Sequence, residues 1–163
     1  MMMYRRATPR LLHDEHLVTI ATLDAVERTL LSRRDPPPPG DAEAARVIAR
    51  LSRLAELEVG AHFDFEENHL FPILIERGDG GMTSVLSEEH DILRETGREL
   101  LDAARAAEAG FAPESWRLYR RLCAEMVERM IGHIQKEEMA LLPILEDVLD
   151  ADIDAELAAR HGG

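Results

Sequence analysis

A thirteen-residue stretch occurs twice in the sequence, and its polar residues restrict the fold more than any other feature. The first copy, residues 62–74, reads HFDFEENHLFPIL, and the second, residues 133–145, reads HIQKEEMALLPIL. Seven of the thirteen positions are identical, including a histidine, two glutamates and a proline. Residues four apart in a helix point the same way, so each copy presents an imidazole and a carboxylate on one face.

Apolar residues recur at helical spacing in four blocks that strong breakers separate. The predicted helices cover about residues 9–33, 41–77, 84–109 and 113–149, and residues 152–159 can form a short fifth helix. Short breakers such as DPPPPG and GDGG make consecutive long helices antiparallel neighbours. The sequence therefore predicts an all-α fold, an up-down-up-down antiparallel four-helix bundle.

Composition and charge limit the partners that such a chain can have. The net charge of −13 repels phosphate backbones and anionic lipid surfaces. No stretch approaches the ~20 apolar residues that span a bilayer. We therefore expect a single domain over residues 1–163 with a core bundle at about 9–149, no nucleic-acid or membrane partner, and a cytoplasmic location. The one cysteine, Cys123, lies in an apolar-periodic run and is predicted to pack in the core.

The internal repeat extends to the first and third helices. The segment LLHDEH at residues 11–16 aligns with VLSEEH at residues 85–90, which places Glu15-His16 opposite Glu89-His90. The chain thus reads as two helical hairpins, each with a histidine early in its first helix and His-x-x-x-Glu late in its second. Counting residues at 1.5 Å rise places these groups at nearly the same level of an antiparallel bundle.

Six side chains should therefore meet in one layer of the core. They are His16, His62, Glu66, His90, His133 and Glu137. Buried imidazoles and carboxylates without partners are costly, and a dinuclear metal centre supplies the compensation. A donor set of imidazole and carboxylate without thiolate suits iron or manganese.

This pattern resembles the hemerythrin-like (HHE cation-binding) domain family. The resemblance rests on His, His-x-x-x-Glu, His, His-x-x-x-Glu, with Leu-Phe-Pro or Leu-Leu-Pro after each carboxylate, over about residues 11–149. It implies two iron ions in an oxo- or hydroxo-bridged di-iron centre inside a four-helix bundle, with the six residues above as metal ligands. Manganese or zinc can occupy such a site in purified protein. No residue is singled out as catalytic.

One departure from the family pattern affects the expected function. Oxygen-carrying hemerythrins have a further histidine one turn after the ligand of the third helix, where this chain has Arg94. The set of four histidines and two glutamates resembles the di-iron repair proteins of bacterial nitrosative and oxidative stress, which usually carry an additional cysteine-bearing domain that is not part of this sequence. Reversible oxygen carriage is therefore not the expected role.

The leading hypothesis is a di-iron protein that binds or responds to oxygen, nitric oxide or peroxide, in stress response or iron handling. Alternatives are a di-iron oxidoreductase resembling a peroxidase or nitric oxide reductase, an iron donor for iron–sulfur repair, and a metal-free interaction bundle. Ferritin-like proteins use Glu-x-x-His instead. A protein partner is not identified by the sequence.

Several polar residues near the predicted ligands admit more than one role. His16 is preferred over His13 as the ligand, and His69 is expected to pack or lie partly exposed, because the repeat places Ser87 and Ala140 at the matching positions. Glu58 is a minor candidate for a further carboxylate. Glu67 and Glu138 are rotated about 100° from Glu66 and Glu137 and are predicted to be solvated or to make polar contacts between helices, with orientation of an imidazole as a minor alternative. Pro72 and Pro143 are predicted to kink their helices.

Overall fold

The computed structural model describes residues 3–162, and every regular element in that range is helical. The helices are α1 (Ala7–Val26 and a π-helical turn, Glu27–Leu31), α2 (Ala42–Arg53, the π turn Leu54–Glu58, Val59–Phe65, the π turn Glu66–Leu70, and Phe71–Glu76), α3 (Gly80–Ala106), α4 (Pro113–Lys136, the π turn Glu137–Leu141, and Leu142–Val148) and α5 (Ala151–Gly162). Helices α1 and α3 each pack beside both α2 and α4. The predicted all-α antiparallel bundle is thereby confirmed, and α5 packs along α1.

The turns explain where the helices begin. Asp41 caps α2, since its side chain accepts a hydrogen bond from the amide of Ala44 at 3.0 Å. The prediction that α3 begins at about residue 84 was wrong, because α3 begins at Gly80. The chain reverses within residues 77–79, where Gly78 adopts a φ of +96° that side-chain-bearing residues rarely tolerate. The remaining glycines of GDGG are therefore free to enter the first turn of α3.

Two apolar clusters fill the bundle on either side of a polar layer. Members of the larger cluster, toward the Pro-rich loop, include Leu23, Leu51, Leu93, Trp116 and Met126. Members of the smaller cluster, toward the chain ends, include Leu12, Leu70, Leu86, Leu142 and Leu145. Each fully buried leucine contributes about 1.5–3 kcal/mol to folding. The helices are thus held together above and below the polar layer by contacts that need no metal.

Candidate metal centre

The first glutamate of each copy of the repeated stretch begins a π-helical turn, and a proline lies six residues after it. The turns are Glu66–Leu70 and Glu137–Leu141, and the amide five residues after each glutamate donates to the glutamate carbonyl. Pro72 and Pro143 lack an N–H, and their rings would clash with the carbonyl four residues earlier in a regular helix. Each proline is preceded by a wider π turn, which relieves this clash, and the glutamate that begins the turn is buried. A kink of the helices at these prolines stays a prediction.

The structure brings the six predicted residues together in two groups that share one carboxylate. One group contains Glu66, His90, His133 and Glu137, the other contains His16, His62 and Glu137, and the ligand atoms within each group lie within 4.8 Å of one another. Glu137 Oε1 lies 2.8 Å from His16 Nε2 and 3.4 Å from His62 Nε2. Its other oxygen lies 3.5 Å from His133 Nε2. Glu137 therefore faces both groups, with one oxygen toward each.

Glu66 makes the same connection from the opposite helix. Its Oε2 lies 3.4 Å from His62 Nε2, and its Oε1 lies 3.1 Å from His90 Nε2. Both carboxylates therefore lie between the two groups of imidazoles, where each would face two neighbouring cations if both groups held one.

The burial of these side chains tests whether they fit a metal. Glu66, His90 and Glu137 are completely buried, and His62, the most exposed of the six, retains 8% exposure. Five of their atoms have no hydrogen-bond partner within residues 3–162: Glu66 Oε1 and Oε2, His90 Nε2, His133 Nε2 and Glu137 Oε2. Each unpaired buried polar atom costs about 1–3 kcal/mol, and charged atoms cost more. Cations held by these nitrogen and oxygen lone pairs would remove that cost, and the donor set fits iron or manganese.

Burial and neighbouring groups shift the pKa values of Glu66, Glu137 and His90 in different directions. Burial raises the pKa of Glu66 well above its ordinary value, and the negative charge of Glu137 raises it further. Burial would also raise the pKa of Glu137, but Glu66 and the surrounding histidines hold it well below the ordinary value. Burial, the positive charge of His133 and other neighbours lower the pKa of His90 to about 3. Of the two carboxylates, Glu66 is therefore the one that takes up a proton more readily, and His90 is neutral at neutral pH, with a free lone pair.

The pKa values of His16 and His62, the imidazoles of the other group, are raised. Burial alone would lower the pKa of His62, but the charge of Glu66 and the hydrogen bond to Glu137 raise it well above 6.5. In the same way, hydrogen bonds to Glu137 and Glu138 outweigh burial and raise the pKa of His16. These protons occupy atoms that a metal would need.

Metal uptake is therefore expected to release protons at neutral pH. The pKa values of Glu66, His16 and His62 are raised in the metal-free protein, so metal must displace protons from them, and the apparent affinity should rise with pH and fall below neutrality. Calorimetric titration with ferrous iron in buffers of different ionisation enthalpy measures the number released. Glu66→Gln has no carboxyl proton to lose and should release fewer. Equal release by both proteins, or none by either, would contradict these protonation states.

Four further glutamates lie behind the four histidines. The distances from each histidine Nδ1 to the nearest carboxylate oxygen are 2.6 Å for His16–Glu138, 2.9 Å for His62–Glu15, 2.6 Å for His90–Glu67 and 2.8 Å for His133–Glu89. A carboxylate only accepts, so each Nδ1 donates its hydrogen and each Nε2 faces the centre of the layer. The four glutamates thereby fix the ring orientation that metal binding requires.

These contacts decide between predicted roles and add two residues. Glu67 and Glu138 were expected to be solvated or to make polar contacts between helices, with orientation of an imidazole as a minor alternative, and each contacts the neighbouring helix, where it orients a histidine. Their rotation of about 100° from the ligand glutamates carries them to the helix interface where that imidazole lies. Glu15 and Glu89 stood in the repeat without an assigned role. The signal that could have identified them was the recurrence of Glu-His in both hairpins.

Basic side chains contact these four glutamates, which we call the outer glutamates: Glu15, Glu67, Glu89 and Glu138. Arg94 Nη1 lies 2.9 Å from Glu67 Oε2, and its other amino nitrogen lies 3.0 Å from Asp64. His13 Nδ1 lies 2.7 Å from the second oxygen of Glu138. Arg94 therefore lies outside the buried layer of histidines and glutamates. It contacts Glu67, which orients His90, and it contributes no atom to either group of potential ligands.

The other residues near the centre have peripheral positions. His69 is partly buried with its ring 5.7 Å from that of Phe65, and it belongs to neither group of potential ligands. Glu58 is exposed and lines a cavity beside the centre. Cys123 is buried as predicted, and burial raises the pKa of its thiol to about 12, so it is not a nucleophile at neutral pH.

Comparison with known proteins agrees with this geometry. A sequence model of the hemerythrin HHE cation-binding domain matches residues 8–145. No curated protein matches the sequence. Within residues 3–162, no helix has both the length and the apolar character needed to cross a bilayer. The match covers most of the chain and includes all six residues of the buried layer, so the chain belongs to the hemerythrin HHE cation-binding domain family.

Proposed function

We propose that this chain is a non-haem di-iron protein that binds or responds to a small oxidant or diatomic molecule. Two buried groups of donors that share Glu137, with Glu66 lying between them, support two metal ions, and the family and donor chemistry favour iron. The six predicted residues are the proposed ligands. Oxidative stress, nitrosative stress or iron handling is the context in which such a centre would act.

The observation that carries this proposal is a small cavity that reaches the metal layer from one side. Its volume is about 170 Å³, and its lining includes His16, His62, His133 and Glu137. Sites for drug-sized molecules usually occupy ~300–1,000 Å³. The cavity therefore has room for oxygen, nitric oxide or peroxide, and it excludes larger organic substrates from the centre.

The lining of the cavity gives its residues distinct tasks. Val59, Phe63, Met130 and Ile134 form an apolar wall that limits water around the imidazoles. Thr19, Val18 and the carboxylates of Glu15 and Glu58 also line the cavity. Bound iron would supply a redox-active Lewis-acid centre for which these small molecules are natural ligands. The protein residues hold it, orient its imidazoles and restrict what reaches it.

The position of Arg94 favours a response to the ligand over reversible oxygen carriage. Oxygen-carrying relatives place a histidine here, whereas the Arg94 guanidinium is engaged by Glu67 and Asp64. Four histidines and two glutamates leave more coordination positions for exogenous molecules than five histidines would.

Narrowing the cavity mouth tests the proposal. Val18 is 53% exposed and lines the cavity, so Val18→Trp should obstruct entry without disturbing the buried ligands. In the iron-loaded, reduced protein, nitric oxide binding followed by stopped-flow absorbance should slow by about tenfold, a barrier increase of ~1.4 kcal/mol, with unchanged iron content. The matched control is Ile92→Trp on α3, which is 44% exposed and lines a different groove.

Two outcomes would contradict this proposal. An unaltered rate in Val18→Trp would mean that ligands do not enter through this cavity. If the iron-loaded wild-type protein responds to none of oxygen, nitric oxide and peroxide, the proposed function itself is wrong. Catalytic consumption of peroxide or nitric oxide in the same assay would instead favour the oxidoreductase alternative.

A further inference from the structure

The basic residues behind the outer glutamates come from different parts of the chain. Glu138 is held by His13 of α1, Glu67 by Arg94 of α3, and Glu89 by Lys136 of α4. Glu15, which orients His62, is held by His161 of α5. Three of the four supports therefore belong to the bundle, and the fourth comes from the additional C-terminal helix.

The internal repeat explains why α5 is needed here. Lys136 lies three residues after His133, on the same helix, and its ammonium pairs with Glu89. The matching position three residues after His62 is Phe65, which is buried and cannot donate to a carboxylate. The His161 ring stacks on Phe65, with centroids 4.1 Å apart and planes at 20°. The first hairpin thus lacks its own support, and α5 supplies one at that position.

Glu15 depends on this support more than the other outer glutamates do. Its side chain is 43% exposed, compared with 23% for Glu89, 26% for Glu138 and 28% for Glu67. An exposed carboxylate can turn toward water, whereas His161 Nε2 lies 2.8 and 2.9 Å from its two oxygens. With His62 Nδ1 2.9 Å away on the inner side, Glu15 is held from both directions.

The register of α5 against α1 fixes this contact. At the start of α1, the Asp154 carboxylate accepts hydrogen bonds from the amides of Ala7 and Thr8, both at 2.8 Å. Seven residues separate Thr8 from Glu15, and seven separate Asp154 from His161. Because two parallel helices advance equally over seven residues, the anchor at Asp154 brings His161 level with Glu15.

We propose that His161 is a positioning residue for His62, acting through Glu15, and that α5 thereby sets the metal affinity of the position formed by His16 and His62. The inference rests on the metal binding proposed above. Loss of an outer hydrogen-bond partner typically lowers metal affinity by about 10–100-fold. The position formed by His90 and His133 has its own supports and should not be affected.

Two substitutions of His161 separate its hydrogen bond from its packing. His161→Phe keeps an aromatic ring against Phe65 but donates no hydrogen bond, whereas His161→Gln loses the ring and keeps an amide N–H near the position of Nε2. Chelator-competition titration of the full-length metal-free protein with ferrous iron should show one binding step weakened about 10–100-fold in His161→Phe. His161→Gln should lose less affinity than His161→Phe, and the second step should be unchanged in both.

Matched variants identify the position that is affected. Lys136→Met removes the corresponding support in the second hairpin and should weaken the other step. Arg160→Gln changes the neighbouring residue of α5, whose guanidinium lies 3.7 Å from Glu156, and should leave both steps unchanged. Anomalous diffraction at the iron edge, from His161→Phe crystals at one metal equivalent, should place the ion beside His90 and His133.

Equal affinities for wild type and His161→Phe would overturn the inference. So would an equal loss in His161→Gln and His161→Phe, since a side chain that can donate the hydrogen bond would then preserve no more affinity than one that cannot. A wild-type chain that binds no iron would remove the proposed function, and NMR of the metal-free protein then decides the positioning role alone. Faster water exchange of the His62 Nδ1 proton in His161→Phe supports that role, and unchanged exchange overturns it.

Discussion

Replacing Glu137 with alanine is expected to remove both metal ions while leaving the helical bundle folded. Glu137 is the one residue common to both ligand groups, with one oxygen beside His16 and the other beside His133. Its loss takes a negatively charged ligand from each position and leaves the imidazoles and a single carboxylate, Glu66, to hold two cations. We expect the affinity for each ion to fall by about 100-fold or more, beyond the range for outer partners.

Metal content by mass spectrometry and helix content by circular dichroism measure this effect together. The fold should persist because apolar clusters lie on both sides of the layer. Glu125→Ala is the matched control on the same helix, since that side chain is partly exposed and its one ion pair within residues 3–162 is with Arg129 at 3.0 Å. A Glu137→Ala protein that retains one ion at wild-type affinity would show that this carboxylate serves a single position.

Removal of metal from the wild-type protein is expected to lower its melting temperature by a large amount. Each ion that binds only the folded state at a thousandfold excess over its Kd adds about 4 kcal/mol of stability. For a chain of this size, 1 kcal/mol corresponds to about 2–4 °C, so each ion should raise the melting temperature by about 8–16 °C. The physical source is the compensation of buried carboxylates and imidazoles that lack partners in the metal-free layer.

Thermal melts followed by circular dichroism, with and without chelator, provide the measurement. The same comparison in Glu137→Ala should give a much smaller difference, because that variant cannot hold the ions. A wild-type melting temperature that is unaltered by iron and by chelator would indicate that the buried layer is stable without metal.

The sequence predicted the buried layer of four histidines and two glutamates because two simple periodicities suffice for it. The i, i+4 spacing of His62 with Glu66 and of His133 with Glu137 fixes which side chains share a face. The level of each group follows from counting residues between breakers, and errors of a few residues do not move a side chain out of the layer. The start of α3 was missed because the glycines of GDGG fit both a turn and a helical first turn.

The outer glutamates and their supports could not be predicted from those periodicities. Glu15 orients His62 on another helix, 47 positions later, so the pairing depends on how α1 and α2 pack. His161 reaches Glu15 across 146 positions, and its placement depends on the Asp154 anchor. Contacts of this kind follow from the relative rotation of helices, which hydrophobic patterning alone leaves undetermined.

The most direct test of the central claim is the metal content of full-length protein purified from iron-replete cells, measured by mass spectrometry. Two iron ions per chain in the wild type, and loss of both in Glu137→Ala, are the results expected from two ligand groups that share a carboxylate. A wild-type chain that contains no iron, or a single zinc, would contradict the assignment of this layer as a di-iron centre.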